Sequence, residues 1–186
     1  MPRLKKYKYE VIDLFCGIGG LSSGLKSRGF SVLAGYDLDQ TCRYAYETNN
    51  EAVFNYRDIK SVTGQEIAEQ YGKKSVKVLV GCAPCQPFSS YAFKNKKKDP
   101  NKYDLLYEFG RLIREVRPDI VAMENVTQIL RFEEKPVLND FLALLEELDY
   151  QYDVQQIYCP DYGIPQTRKR LVVVASRFGN IRLISP

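Results

Sequence analysis

The sequence predicts an α/β protein, a single domain built on a seven-stranded, mostly parallel sheet with helices on both faces. Three observations carry that expectation. Short runs of β-forming apolar residues alternate with stretches whose apolar residues recur at helical spacing. Turn-forming Gly, Pro, Asp and Asn punctuate the alternation. And 186 residues suffice for one well-cored domain and little more.

Tyr7 to Leu14 reads as the first strand. Cys16-Gly17-Ile18-Gly19-Gly20 follows, then an amphipathic stretch from Leu21 to Arg28 that Gly29 closes. In a strand, Gly-rich turn and helix, the glycines let the backbone turn sharply and let a ligand approach with no Cβ in the way. The same pattern also serves as a plain tight turn. Phe30 to Tyr36 forms a second strand with Asp37 at its end, about where a ribose hydroxyl is held in dinucleotide-type pockets. Asp37 could equally cap the helical stretch that runs to Tyr46, and Asp39 could cap while Asp37 binds. Val53 to Tyr56 is a third short strand ending in Arg57-Asp58-Ile59. Asp58 could accept from an adenine amino group with Ile59 against the ring, or be a turn carboxylate. A Gly turn and two acids on three successive strand ends describe an adenosine pocket better than any one of them alone.

Ser61 to Gly72 reads as a short helix, and Lys77 to Val80 as strand four. Tyr91 to Tyr103 holds Lys94, Lys96, Lys97, Lys98 and Lys102, either a solvated face or a flap that contacts phosphates. Tyr103 to Val116 is helical, with Leu105, Phe109, Leu112 and Val116 on one face, and Pro118 ends it. Asp119 to Met123 is a buried fifth strand with Glu124-Asn125-Val126 at its end. Pro136 starts a helix whose core stripe is Leu138, Phe141, Leu142, Leu145 and Leu148. Gln151 to Tyr158 is strand six, Cys159 to Pro165 a tight loop, and Leu171 to Ala175 strand seven, entered through Gln166-Thr167-Arg168-Lys169-Arg170.

The stretch after strand four is the most informative. Its apolar run stops at Gly81, and Cys82-Ala83-Pro84-Cys85-Gln86-Pro87 follows. Proline gives no hydrogen to a ladder and fixes its own φ, so Pro84 and Pro87 make this a stiff loop. Loops past strand ends are where open α/β sheets bind ligands, so Cys85 is placed for reaction. Three other readings exist. A thioredoxin-type pair has the C-x-P-C form but opens directly into an apolar helix, whereas Gln86 to Ser90 continues as loop. Half a zinc site lacks its other half, since there is no second C-x-x-C and no histidine. The third is a buried, inert pair.

Composition narrows the function further. With no histidine, Ser-His-Asp and Cys-His hydrolase machinery cannot be built from this chain alone. Five cysteines, an odd number in a chain of ordinary core, suit a reducing cytoplasm better than a disulfide framework. A net charge of +4 permits a polyanionic partner without demanding one. No run of about 18 apolar residues occurs, and the N-terminus lacks a secretory hydrophobic segment, so neither a membrane span nor export is expected. An adenosine pocket, a thiol on a stiff loop, the carboxyl of Glu124 beside it and two arginines on a later strand together suggest group transfer through a covalent intermediate.

At this point the residues resemble a known family. Asp13-Leu14-Phe15-Cys16-Gly17-Ile18-Gly19-Gly20, Pro84-Cys85-Gln86, Glu124-Asn125-Val126 and Gln166-Thr167-Arg168-Lys169-Arg170 resemble, in order, four motifs of the DNA (cytosine-5) methyltransferases. The resemblance covers nearly all of the chain. It implies a Rossmann-like, S-adenosylmethionine-dependent methyltransferase fold. It implies a cofactor pocket of Phe15, Gly17, Ile18, Gly19, Gly20, Asp37, Leu38, Asp58, Ile59, Pro84 and Leu105, and catalysis by Cys85, Glu124, Arg168 and Arg170. No metal is implied.

Cytosine C5 is a poor nucleophile, and a thiolate adding at C6 turns the ring into an enamine that attacks a methyl sulfonium. Cys85 is implied as that thiolate. Glu124 would hydrogen-bond N3 and the exocyclic amine as a protonated or proton-sharing carboxyl group. Arg168 and Arg170 would meet the cytosine O2, a neighbouring phosphate or both, with the family pattern favouring Arg170 for the base; the plain alternative is a surface pair on a strand. Without histidine, activation of Cys85 must come from positive charge, oriented amides or the substrate. The base must be flipped out of the duplex, and the C5 proton is expected to leave to water.

The family's target-recognition domain and last C-terminal segment have no counterpart in residues 1–186. The expectation is therefore a catalytic, cofactor-binding domain that methylates weakly or not at all alone, as part of a longer enzyme or beside a second chain carrying the recognition domain. Double-stranded DNA is the expected partner, a restriction-modification setting the expected context, and the cytoplasm, or nucleoid in a bacterium, the expected place. Alternatives are a cofactor-binding homologue without turnover and a tRNA cytosine-5 methyltransferase.

Overall fold

The computed structural model describes residues 8–84, 104–131 and 137–186. Cys85 and the part of its Pro-rich loop that follows it, the lysine run of residues 94–102 and Pro136 lie outside the described residues.

Strands and helices alternate as β1 (Tyr9–Leu14), α1 (Gly20–Ser27), β2 (Ser31–Asp37), α2 (Arg43–Asn50), β3 (Val53–Tyr56), α3 (Gly64–Ala68), β4 (Val76–Gly81), α4 (Asp104–Val116), β5 (Ile120–Val126), α5 (Val137–Glu147), β6 (Gln151–Tyr158) and β7 (Lys169–Ser176). The seven strands form one sheet in the order β3-β2-β1-β4-β5-β7-β6. Every pairing from β3 to β5 is parallel, whereas β7 runs antiparallel to both β5 and β6. The mostly parallel, seven-stranded expectation therefore holds, and the strand that departs from it is the one carrying Arg170; Arg168, expected on the same strand, lies just before it.

Helices cover both faces, which is why the central strands read as unbroken apolar runs. On one face Ile67 of α3, Leu106, Phe109, Leu112, Ile113 and Val116 of α4, and Leu138, Phe141, Leu145 of α5 pack on Ile12, Leu14, Leu79, Val121, Met123 and Val173. On the other, Leu21 and Leu25 of α1 pack on Val11, Val78 and Val80, and Tyr46 of α2 on Phe54 and Cys16.

Helix α2 runs on to Asn50 and β7 begins already at Lys169, and two further boundaries differ from the sequence reading. The helix expected over Ser61 to Gly72 is only α3, preceded by a 3-10 turn at Ile59–Ser61. Thr63 accepts from the Glu66 amide while the Glu66 carboxylate accepts from the Thr63 amide, a capping box that starts the helix late. The Gly72 amide is taken instead by Glu10 Oε2, at 2.6 Å. Glu124-Asn125-Val126 does not follow strand five; it forms the last three residues of β5, because the antiparallel β7 keeps pairing as far as Val126.

Candidate active site

One row of paired residues crosses the sheet: Asn55, Tyr36, Leu14, Gly81, Met123, Val173 and Val154. The next residue along each parallel strand faces the carboxyl edge, so Tyr56, Asp37, Phe15, Cys82 and Glu124 stand level there. β7 arrives from the opposite direction, which delivers its first residues, Lys169 and Arg170, to this same edge. Six separated stretches of sequence meet along one line for that topological reason.

The turn after β1 is the most constrained part. Phe15, Gly17 and Gly19 all have positive φ, at 59°, 49° and 87°. Phe15 is a costly residue to hold there, and its side chain packs against the main core. A Cβ on Gly17 or Gly20 would meet nothing within 4 Å, so this side of the turn is open to a ligand. A Cβ on Gly19 would stand 2.1 Å from Asn50 Nδ2 and 2.8 Å from Tyr46, and one on Gly35 would strike Tyr46 and the Cys16 sulfur. Helix α2, which carries both Tyr46 and Asn50, therefore presses on the turn directly. Gly19 is also the N-cap of α1 and offers no side chain to the first-turn amides, which face an acceptor from outside.

Asp37 ties the turn to β2. Its Oδ2 accepts from the Gly17 amide at 2.8 Å and its Oδ1 from the Asp39 amide at 2.9 Å. Asp39 caps the 3-10 turn Gln40–Cys42, the capping role the sequence offered for it. A carboxylate has further lone pairs, so Asp37 keeps capacity for a diol. Ile18 and Leu38, beside Gly17 and Asp37 in the chain, are large apolar side chains left 64% and 57% exposed. Open glycines, a carboxylate at the end of β2 and exposed apolar flanks fit an adenosine cofactor.

Behind the turn lies a polar network the sequence reading did not single out. Asp13 is fully buried, and its Oδ2 accepts from the Ser22 hydroxyl at 2.7 Å; Ser22 Oγ is 3.1 Å from the Tyr46 hydroxyl. Asp13 Oδ1 has no hydrogen-bond partner. Burial pushes the Asp13 carboxyl up to about 7, against the opposing bonds from Ser22. A polar residue in an otherwise apolar strand, nine positions before a serine, was the available signal.

At the other end of the row, Glu124 Oε1 lies 2.8 Å from Arg170 Nε and 3.5 Å from an Arg168 terminal nitrogen. The Glu124 side chain remains about a quarter exposed, so it is both paired and reachable. The neighbouring Asn125 is buried and donates to the Ala83 carbonyl at 3.2 Å, while the Cys82 amide donates to Leu14 O at 3.2 Å. Those two bonds fix the residues leading to Cys85 against β5 and β1. Burial pushes the Cys82 thiol up, with the Glu124 and Asp13 carboxylates adding to it, so Cys82 is an inert neighbour rather than a nucleophile. Pro84 is exposed.

Asp58 caps the 3-10 turn Ile59–Ser61, its Oδ1 accepting from the Lys60 amide at 2.9 Å. Ile59 is only 3% exposed and sits in the main core. Leu105, in the first turn of α4, is half-buried. Among the described residues, no group of three or more Cys, Asp or Glu is placed to hold a metal ion.

Comparison with known proteins agrees with this geometry. The family described as C-5 cytosine-specific DNA methylase matches residues 9–184. The chain is 50% identical over 176 residues to the Type II methylase M.HgiDII of Herpetosiphon aurantiacus, covering 95% of this chain and 49% of that protein. It is 30% identical to the Type II methyltransferase M.HhaI of Haemophilus parahaemolyticus, covering 90% of this chain and 49% of that protein. Among solved structures, a putative DNA modification methyltransferase encoded within an E. coli prophage superposes with a TM-score of 0.77 at 27% identity, over 91% of this chain and 47% of that one. Spodoptera frugiperda DNMT2 superposes with a TM-score of 0.73 at 25% identity, over 91% and 50%. The chain spans about half the length of the relatives it matches.

Proposed function

We propose, because the chain belongs to the C-5 cytosine-specific DNA methylase family, that it supplies the catalytic half of an enzyme methylating C5 of a cytosine flipped out of duplex DNA. The observation that carries this is the Glu124–Arg170–Arg168 cluster, level with the strand end that leads to Cys85 and with the Gly17–Asp37 turn.

S-adenosylmethionine, when bound, supplies the electrophilic methyl group. Gly17, Gly19 and Gly20 let it approach the β1 turn, with Phe15, Ile18, Leu38 and Pro84 as apolar walls. Asp37 holds its ribose, and the Asp58–Ile59 turn and Leu105 flank its adenine. Because Ile59 is buried, its side chain supports the turn from beneath. Cys85 adds its sulfur to cytosine C6. Glu124 hydrogen-bonds N3 and the exocyclic amine, so negative charge does not accumulate on the ring. Arg170 orients Glu124 and reaches towards the cytosine O2, and Arg168, further out, serves a phosphate. C5 would take the methyl group as its bond to the cofactor sulfur breaks, with S-adenosylhomocysteine leaving; the C5 proton then passes to water, the Cys85–C6 bond breaks, and the thiolate is released.

A methyl-transfer assay with labelled cofactor tests this, using duplex DNA and tRNA as substrates, with and without a second chain supplying a target-recognition domain. Incorporation into duplex cytosine, strongest with the second chain, supports the proposal. Incorporation into tRNA alone moves the substrate to RNA. No incorporation in any arm, with the cofactor bound, makes the chain a binding homologue.

A further inference from the structure

We infer that Arg111 is a positioning residue for the adenine end of the cofactor pocket, an assignment that rests on the adenine role of Asp58 proposed above. Arg111 lies in the middle of α4, yet its Nη2 donates to two carbonyls far away in sequence: Ile59 O at 3.1 Å and Val62 O at 3.0 Å. These bracket the 3-10 turn that Asp58 caps. The other guanidinium nitrogens are held as firmly, Nε by Glu108 at 2.7 Å and Nη1 by Glu115 at 2.9 Å. Glu115 Oε2 in turn accepts from the Gly64 amide at 2.6 Å, at the first residue of α3. Only glycine fits there, since a Cβ would stand 2.2 Å from the Glu115 Cβ.

Helix α4 thus grips the segment from Ile59 to Gly64 at three backbone points. The turn's own bonds, Lys60 amide to Asp58 Oδ1 and Ser61 hydroxyl to Asp58 O, fix its shape. They do not fix its place relative to the sheet. That place is set at its start by the Arg57 amide, which donates to Asp37 O at 3.2 Å, with Arg57 Nη2 on Ser61 O at 3.3 Å, and beyond Asp58 by Ile59 and Val62 buried beneath it and the Arg111 fork above. The same helix carries Leu105 in its first turn, so one rigid element sets both sides of the adenine position. A planar fork with fixed nitrogens serves such a clamp; a lysine ammonium, a single point on a flexible stem, does not.

The test separates positioning from plain support of the fold. Binding of S-adenosylhomocysteine and of its inosine analogue, in which an oxygen replaces the adenine amino group, is measured by calorimetry on the whole chain. The wild type prefers the amino form about tenfold, through the hydrogen bond to the Asp58 carboxylate. Arg111→Met reduces that preference to about twofold or less, as does Asp58→Asn. If Arg111→Met fails to fold, Arg111→Lys provides the same comparison, with its thermal melt recorded alongside. An Arg111 variant that weakens both ligands equally and keeps the tenfold ratio overturns the inference. A wild type that does not distinguish the ligands, or binds neither, overturns the adenine reading and this assignment with it.

Discussion

Arg170 Nε reaches Glu124 Oε1 at 2.8 Å because β7 runs against β5. In that register Arg170 stands opposite Val126 and Val172 opposite Glu124, which makes Glu124 and Arg170 diagonal neighbours on one face of the sheet. A parallel seventh strand would bring its carboxyl end to this edge and carry both arginines to the far side. The reversed strand is therefore what joins the carboxylate to its cations.

The cluster gives an order of effects. In the assembled enzyme, Arg170→Ala is expected to lower kcat/KM for methyl transfer about a hundredfold, the scale for one preorganised charge-stabilising donor. Arg168→Ala, whose contact to Glu124 is the longer one at 3.5 Å, is expected to cost about tenfold, more through DNA affinity than turnover. The steady-state constants of the two variants check this, and the reverse order would exchange their roles.

The Gly-rich turn separates stability from ligand binding. Gly19→Ala drives a methyl group into Asn50 and Tyr46 at positive φ, and is expected to destabilise by about 2–3 kcal/mol. Gly17→Ala faces open space and pays only for its φ, about 1 kcal/mol. It should nevertheless weaken S-adenosylmethionine binding more than tenfold, since its methyl occupies the ligand's approach. Thermal melts and titration calorimetry on both variants distinguish the two effects.

Asp13 imposes a pH dependence. Its carboxyl titrates near 7 in the folded chain, against 3.8 ordinarily. Between those values the folded state keeps a proton that the unfolded state has released, so stability falls as pH rises from about 4 to about 7, and levels off above. The loss is as much as about 4 kcal/mol. The chain has no histidine to titrate in this window, and among the described residues Asp13 is the carboxyl raised into it. The carboxylates held low by partners, Glu115 and Glu147 beside arginines among them, lose their stabilisation below it. Chemical denaturation across pH 5 to 8 should show this decline in the wild type, and Asp13→Asn should remove it.

Much of this was legible from the chain because the signals are local. The strands β1, β2, β4, β5 and β7 coincide with apolar runs, and every Gly or acid of the proposed adenosine pocket stands at or just past a strand end, where backbone polarity changes abruptly. The direction of β7 was readable from its connection rather than from its own residues: no α-helix lies between Tyr158 and Lys169, and a crossover to a parallel neighbour would need one. The partner of Asn125 was not legible, since its bond to Ala83 joins residues 42 positions apart. The short α3 was readable in principle: Thr63 and Glu66 have capping-box spacing, overlooked beneath a broader helical pattern.

The proposed reaction runs through a bond between Cys85 and cytosine C6, and a duplex containing 5-fluorocytosine examines that bond directly, because fluorine at C5 prevents the final elimination. The chain, supplied with S-adenosylmethionine and a second chain carrying a recognition domain, should form a denaturation-resistant complex whose cross-linked peptide contains Cys85, and Cys85→Ser should form none. A Cys85→Ser protein that is trapped to the same extent, or that methylates ordinary duplex at the wild-type rate, would contradict it.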